Sequence, residues 1–512
     1  MIFDKYSYIC DCVTYKRPGL GITFDTRSMF CSRLWLYLYR RLHKRTGPGK
    51  YFKTPSKNKF SMKRIFASIT VAALFSMTVN AQQMTEKWNG KMQAGLRIGF
   101  NIMTAEDGIR TCTMDVPQQS AKGVPVEIVK YSQDSLVLSI PMLRASYRGG
   151  RTASGDIKGQ FSQHGMVLAL DLTPGGLEPS VRPQAPVPPY PYRTEEVEFR
   201  NEAAGAVLSG TLTYPADAGG KVPVVLMVTG SGIQNRDEEL FEHKPFLVIA
   251  DYLARHGIAS LRYDDRGAGK SSGPVEGTTT MDNLSDALSG VSYLRRLGQF
   301  GKIGLLGHSE GGTIAFMAGA EGAVDFIVSL AGGAAKGIDV IAGQNEAAMS
   351  LGGALSPEMV SQYISALRKI CEDRIAGVVA EEPRRYVDDL CKANGWNLPD
   401  VLLDNLAACV TSGGEWLTWF LKYDPSEAIR RIECPVMALN GDLDMQVLSK
   451  DNLPVLKENL SENKSNVIKE YASLNHMFQH CTPATSLLYG QIDETFSEEV
   501  LADIAAWINS LE

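Results

Sequence analysis

The stretch Ile303-Gly304-Leu305-Leu306-Gly307-His308-Ser309-Glu310-Gly311-Gly312-Thr313-Ile314-Ala315-Phe316-Met317-Ala318-Gly319-Ala320 decides the fold. Ile303 to Leu306 is apolar and has the length of a buried strand. Thr313 to Ala320 is small and apolar, as a closely packed helix requires. Between them stands Gly307-His308-Ser309-Glu310-Gly311, a G-x-S-x-G pattern. In such an elbow the serine sits on a strained strand-to-helix turn, and its neighbours are glycine because the two backbones approach too closely for a Cβ. The pattern alone is weak evidence. The strand before it and the helix after it are the context that separates an elbow from a Gly-rich turn bearing a surface serine.

Outward from the elbow the chain alternates strand, turn and helix. Val222 to Val228, Ala259 to Tyr263, Phe326 to Leu330, Val436 to Asn440 and Val467 to Tyr471 read as strands, and Phe246 to Arg255 and Met281 to Leu297 as helices. Continuous apolar strands alternating with helices predict a mostly parallel sheet covered on both faces. The interval from Gly333 to Arg430 is too long for one connection. It reads as an inserted cap with helices over Pro357–Ile375, Arg384–Ala393, Leu398–Val410 and Glu415–Leu421.

A serine hydroxyl attacks only when a base takes its proton. Seven histidines are present. His43 lies in the basic leader, His164 in an N-terminal β module, and His243 and His256 precede the serine. His308 is inside the elbow and cannot fold back as base. His476 and His480 remain. His476 follows the strand Val467–Tyr471, at the carboxyl end of a strand, where open α/β sheets build their sites; His480, four residues on, reads as a loop or helix residue facing solvent or the core. The acid belongs in Gly441-Asp442-Leu443-Asp444-Met445-Gln446-Val447, where two aspartates compete and the other serves the turn. An oxyanion needs two fixed N–H donors. One is the amide of Glu310. The other comes from Gly230-Ser231-Gly232, with Ser231 the first choice and Gly232 the second. The Glu310 side chain is a further candidate for the pocket wall.

The N-terminal part differs. Met1 to Ser61 carries about +10, leaving the remainder at about −15 from a total of −5. Met62 then opens a second start: Lys63-Arg64, an apolar run from Ile65 to Val79 and a small-residue end at Ala81. This is the layout of a secretory signal peptide, the run being short for a transmembrane helix. The expectation is a mature chain from near Gln82, exported to a periplasmic or extracellular space, with residues 1–61 an upstream extension. A buried helix and a basic arm for membranes or nucleic acid are the competing readings of these two segments. Residues 82–172 alternate in short β runs such as Leu136 to Ile140, predicting a small sandwich or barrel-like domain with a structural or docking role. Residues 173–192 are Pro-rich and read as an extended, semi-rigid spacer. The hydrolase-like part spans 193–512, with the cap over about 333–430. Six cysteines follow Ala81, and their spacing matches no zinc site. Free buried thiols are expected, with Cys371 and Cys391 a possible pair.

Taken in order, these pieces resemble the α/β-hydrolase superfamily, and within it the two-domain bacterial esterases that place a small β domain and a Pro-rich linker before the hydrolase. The resemblance runs from Trp88 to the C-terminus through Trp88-Asn89-Gly90, Arg182-Pro183-Gln184, Gly210-Thr211-Leu212-Thr213, Gly230-Ser231-Gly232, Asp264-Asp265-Arg266-Gly267-Ala268-Gly269, the elbow, Gly441-Asp442-Leu443-Asp444 and Asn475-His476-Met477-Phe478. It implies an α/β-hydrolase fold, hydrolysis of carboxylic esters with short acyl chains, and a structural rather than catalytic Asp265-Arg266-Gly267 turn. The superfamily spacing Gly441-x-x-Asp444-x-x-Val447 favours Asp444 as the acid. The expected triad is Ser309, Asp444 and His476, without cofactor or metal.

The expected partner is a small-molecule ester. An acidic mature chain is not built to grip nucleic acid, and no stable membrane anchor or lipoprotein cysteine is evident. The oligomeric state is open. A serine peptidase of the same fold and a non-catalytic binding protein are the alternatives. Trp416, Trp419 and Phe420 of the cap are candidates for an apolar wall over Ser309 or for packing within the lid.

Overall fold

The computed structural model describes residues 84–511 except 93–94, 120, 164–165 and 217–220. The leader, the signal-peptide segment and His164 therefore lie outside the described residues. By contact density the described chain forms one large unit, Glu86–Ile102 with Thr111 onward, and a separate hairpin tip, Met103–Arg110. That tip is a turn in which Gly108 has φ +80° and donates to the Ala105 carbonyl (2.9 Å).

The β domain is built from β1 (Met84–Lys91), β2 (Arg97–Thr104), β3 (Arg110–Val116), β4 (Ala121–Tyr131), β5 (Ser135–Ile140), β6 (Ala145–Arg151), β7 (Ile157–Gln163), β8 (Met166–Ala169) and β9 (Thr173–Pro174). These lie in meander order, β8-β7-β6-β5-β4-β3-β2-β1-β9. The chain after β7 pairs with β7 through β8 and Leu172, then with β1 through Thr173 and Pro174. The sheet thus closes toward a barrel, which removes exposed edges. Alternate residues point inward: Phe100, Leu136, Leu138, Tyr147 and Ile157 are fully buried, with Trp88 beside them. Thr173 and Pro174 pair with Asn89 and Trp88 and complete the closure.

The second sheet contains β10 (Arg193–Asn201), β11 (Ala206–Tyr214), β12 (Val224–Val228), β13 (Ala259–Tyr263), β14 (Ile303–His308), β15 (Phe326–Leu330), β16 (Val436–Gly441) and β17 (Val467–Tyr471). Its order is β10-β11-β13-β12-β14-β15-β16-β17. The first two pairings are antiparallel and the rest parallel. The parallel strands β12 to β15 are buried along their whole length. The sequence reading did not single out β10 and β11 as strands: β10 alternates with exposed polar residues in the manner of an edge.

Helices α1 (Pro245–Arg255), α2 (Thr280–Leu297) and α3 (Glu310–Ala320) connect the first parallel strands. The cap comprises α4 (Gly337–Ser350), α5 (Pro357–Ile375), α6 (Pro383–Asn394), α7 (Asp400–Thr411) and α8 (Gly414–Lys422), and α9 (Ser426–Arg430) returns the chain to the sheet. It has its own core around Leu367, Val387, Leu402 and Leu406. Cys371 and Cys391 are buried there, and no disulfide joins cysteines among the described residues. α10 (Ser449–Asn459) and α11 (Glu498–Ser510) finish the fold. The two faces of the sheet bury separate clusters, one with α2 and α3, the other with α1 and α11. Among the described residues no helix is long and apolar enough to cross a membrane.

Candidate active site

The elbow follows from steric necessity. A Cβ on Gly307 would overlap the Gly311 backbone, and one on Gly311 would overlap the Val228 carbonyl. Ser309, between β14 and α3, has φ +54° and ψ −117°, a costly conformation for a residue with a Cβ. Its amide donates to Leu330 (2.8 Å) and its carbonyl accepts from Gly312 (2.9 Å), so the strain is held from both sides.

The acid and base loops are tied by their own side chains. Asp444 is 2% exposed. Its Oδ1 accepts from the amides of Gln446 (2.8 Å) and Val447 (3.0 Å), and its Oδ2 from Asn440 Nδ2 (3.2 Å). Oδ2 also lies 2.8 Å from His476 Nδ1. A carboxylate oxygen facing a ring nitrogen accepts from it. Nδ1 of His476 therefore carries the proton, which leaves Nε2 as the basic atom. Asp442 does not bond its own turn as expected: it accepts from the Ser473 amide (2.6 Å), 31 residues on, and so ties this loop to the one that carries His476. Asn475, fully buried, accepts from the amides of Met477 and Gln479 (both 3.0 Å), which shapes the loop that presents His476. His480 faces outward and pairs with Glu494 (2.9 Å).

The loop Thr229–Gln234 lies against Ser309: a Cβ on Gly230 would stand 3.2 Å from Ser309 Cβ. The Gly230 amide is taken by Glu238 Oε1 (2.8 Å) and the Gln234 amide by Asp265 Oδ2 (2.8 Å). Between these anchors Ser231, Gly232 and Ile233 are exposed, with Gly232 at φ +94°. The Glu310 amide is at the first position of α3, where backbone N–H groups have no intrahelical partner and the helix dipole favours negative charge. The Asp265-Arg266-Gly267 turn is structural: Asp265 accepts from Thr229 Oγ1 (3.0 Å), and Arg266 pairs with buried Asp286 (2.8 Å). Burial raises the Asp265 pKa to about 8, with the Glu238 and Glu310 carboxylates adding to the effect.

The Glu310 side chain turns toward the cap. It is 5% exposed, and its Oε1 accepts from Thr280 Oγ1 (2.6 Å) and from Trp416 Nε1 on α8 (2.9 Å). Burial pushes its pKa up. Trp416 stacks on Phe420 (5.4 Å) and Trp419 on Tyr423 (4.7 Å). Trp416 thus packs within the cap while its indole N–H bonds the side chain of Glu310, the residue after Ser309. Sequence reasoning missed Glu238 and His308 as partners. They meet at 2.9 Å across 70 residues of chain, with no local pattern to mark the pairing. Among the described residues no group of three or more His, Cys, Asp or Glu could hold a metal ion.

An eight-stranded sheet with an antiparallel start, one crossover and an elbow after its fifth strand in sequence defines the α/β-hydrolase fold. The model of the X-Pro dipeptidyl-peptidase family S15 matches residues 204–480, more than half of the chain, and the protein belongs to that family. It is a hydrolase. Esterase EstD of Thermotoga maritima is 27% identical over 307 residues; the match spans 59% of this chain and 65% of that protein. Among solved structures, Est1E from Butyrivibrio proteoclasticus with bound ferulic acid is 18% identical, covers 61% of this chain and 96% of that one, and has a TM-score of 0.38. The Pyrococcus furiosus esterase Pf2001 is 15% identical, with 62% and 90% covered and a TM-score of 0.36.

Proposed function

We propose that the protein is a serine esterase cleaving carboxylic esters of small acids through an acyl-enzyme. The observation that carries this is the His476–Asp444 contact, which leaves Nε2 as a base beside the elbow. Ser309 Oγ attacks the ester carbonyl while His476 Nε2 takes its proton. The tetrahedral oxyanion is held by the amides of Glu310 and of Ser231 or Gly232. Collapse breaks the C–O bond, and the imidazolium returns the proton to the departing alcohol. Water then repeats the sequence on the acyl-enzyme. The cap roofs the pocket through Trp416 and limits acyl length.

The family also contains peptidases, so a serine peptidase is the second reading. An X-Pro dipeptidyl-peptidase needs a carboxylate for the substrate amine. Beside the elbow, Glu238 and Glu310 are buried, and each binds through Oε1 alone: Glu238 to Gly230 and His308, Glu310 to Thr280 and Trp416, with Oε2 of each unpartnered. Neither presents an exposed carboxylate to a substrate amine, and this favours esters. The deciding measurement is kcat/KM on p-nitrophenyl acetate and butyrate, an unactivated alkyl or sugar acetate, and an X-Pro anilide. Higher efficiency on the anilide than on every ester would reverse the assignment.

Export remains part of the proposal, supported by the layout of residues 62–81. N-terminal sequencing of protein secreted by a bacterial host is expected to begin near Gln82, and an intact Met1 on exported protein would refute it.

A further inference from the structure

The Pro-rich linker carries side chains that a spacer does not need. Arg182 is 8% exposed, and its guanidinium donates to the carbonyls of Ile492 (2.8 Å), Phe241 (2.9 Å), Gly490 (3.1 Å) and Glu242 (3.3 Å). Only a planar fork of five N–H groups ties two loops at so many points. Two residues on, Gln184 accepts from the amides of Thr495 (2.6 Å) and Phe496 (3.0 Å) and donates to the Phe496 carbonyl (2.7 Å). Glu242 in turn accepts from the amide (3.1 Å) and hydroxyl (2.8 Å) of Ser180 and forms an ion pair with Arg97 of β2. The linker and the β domain thus grip the loop Asp237–His243.

That loop is strained. Glu238, Phe241 and Glu242 have φ of +50°, +55° and +64°, left-handed values that side chains with a Cβ adopt only when held. Glu238 is 1% exposed and faces the site. Its Oε1 accepts from the Gly230 amide (2.8 Å) and lies 2.9 Å from His308 Nδ1. His308 Nε2 lies 2.9 Å from the His476 carbonyl, which can only accept, so this nitrogen carries a proton. Burial disfavours charge on His308, but the Glu238 carboxylate, the His476 carbonyl and Asp444 prevail and raise its pKa. One carboxylate therefore fixes the loop of the oxyanion donors, the residue before the nucleophile and, through that ring, the backbone of the base.

We propose that Arg182 and Glu238 are positioning residues for hydrolysis, and that the linker and β domain brace the oxyanion side of the site. Arg182, Gln184 and the Arg97–Glu242 pair hold the loop, and Glu238 passes its shape to Gly230, His308 and His476. This rests on the reading of Ser309, His476 and Asp444 as the triad.

The test is kcat and KM on p-nitrophenyl acetate and butyrate, with the rate of labelling by a fluorophosphonate, for the whole purified protein. The variants are Arg182→Met, Arg182→Lys, Glu238→Ala and Glu238→Gln, with circular dichroism as the folding control. Misplacement by about 1 Å can cost on the order of 10²-fold. Arg182→Met and Glu238→Ala should therefore lose roughly 30- to 100-fold in kcat and in labelling, with KM moving less than about threefold. Glu238→Gln keeps an acceptor for Gly230 and a partner for His308, so it should recover most of the loss. Arg182→Lys should fall between. Folded Arg182→Met and Glu238→Ala with wild-type kcat would overturn the brace, as would a loss confined to KM or a Gln variant no better than Ala. If Arg182→Met does not fold, Gln184→Ala and Glu242→Gln decide, and unchanged kcat in both refutes the proposal. Failure of the triad reading shows separately, as turnover and labelling that survive in Ser309→Ala.

Discussion

The two sides of the site are built differently. On the base side, most bonds that hold Asp444 and the His476 loop come from within a few positions of each: Asn440, Gln446 and Val447 for Asp444, Asn475 and Gln479 for the loop, with His308 reaching the His476 carbonyl from farther along the chain. On the oxyanion side, the loops Thr229–Gln234 and Asp237–His243 borrow partners from far along the chain. These include Asp265, His308, Arg182 and, through Glu242, Arg97. A locally satisfied loop carries its geometry in its own sequence. A loop held from outside keeps a strained shape only while the rest of the fold is in place. The base side should therefore be less sensitive to distant change than the oxyanion side.

The largest expected effect lies where the sides meet. Ser309→Ala removes the attacking atom and almost no volume, and should cost on the order of 10⁴- to 10⁶-fold in kcat with the fold unchanged. Equal fluorophosphonate labelling of wild type and variant would move the nucleophile elsewhere and dissolve the comparison.

Next comes the base side itself. Asp444→Asn puts an amide opposite His476 Nδ1 and favours the wrong tautomer, at a cost of roughly 10⁴ in kcat. Asp442→Asn removes only an acceptor for the Ser473 amide, and kcat should stay within about threefold. Parallel kinetics on the two variants checks the ranking, and the opposite order would reassign the acid.

His243 tests the oxyanion side through pH. It is fully buried against Thr495 and the Tyr489 carbonyl, beside Arg182. Burial, with the Arg182 charge adding to it and the Tyr489 and Ile492 carbonyls and Glu242 opposing, lowers its pKa to about 4. The unfolded chain then binds more protons than the folded one between about pH 6.5 and 4, so stability falls as pH drops through that window. The loss is on the order of 3 kcal/mol at its acid end. Denaturant titrations from pH 7 to pH 4 should show this slope, and His243→Gln should flatten it. An unchanged slope would mean that the loop tolerates a charge there.

The smallest effect belongs to the cap. Trp416→Phe keeps the stack on Phe420 and deletes one donor to Glu310 Oε1, which retains Thr280. A loss of about 1–2 kcal/mol in stability is expected. Any change in acyl preference should appear as a shift in the ratio of kcat/KM for butyrate over acetate. No shift in either quantity would detach the cap from the elbow.

Sequence alone determined the elbow, the parallel strands around it and four of the cap helices, though not α4, and it pointed to Asp444 and His476. Each rests on a local signal: apolar runs of strand length, glycines where backbones must touch, and a loop directly after a strand. Ser309, Asp444 and His476 were singled out in that way, because chain order and strand ends restrict where each can stand, and the structure brings Asp444 and His476 within 2.8 Å. Tertiary structure alone decided that the β domain closes on itself, that Arg182 is a buried staple instead of part of a spacer, and that Glu238 meets His308. It also turned the Glu310 side chain toward Trp416. These contacts join residues 59 or more positions apart. A side chain carries no mark of which distant carbonyl or ring will be folded against it; the burial of two sheet faces and a cap settles that pairing.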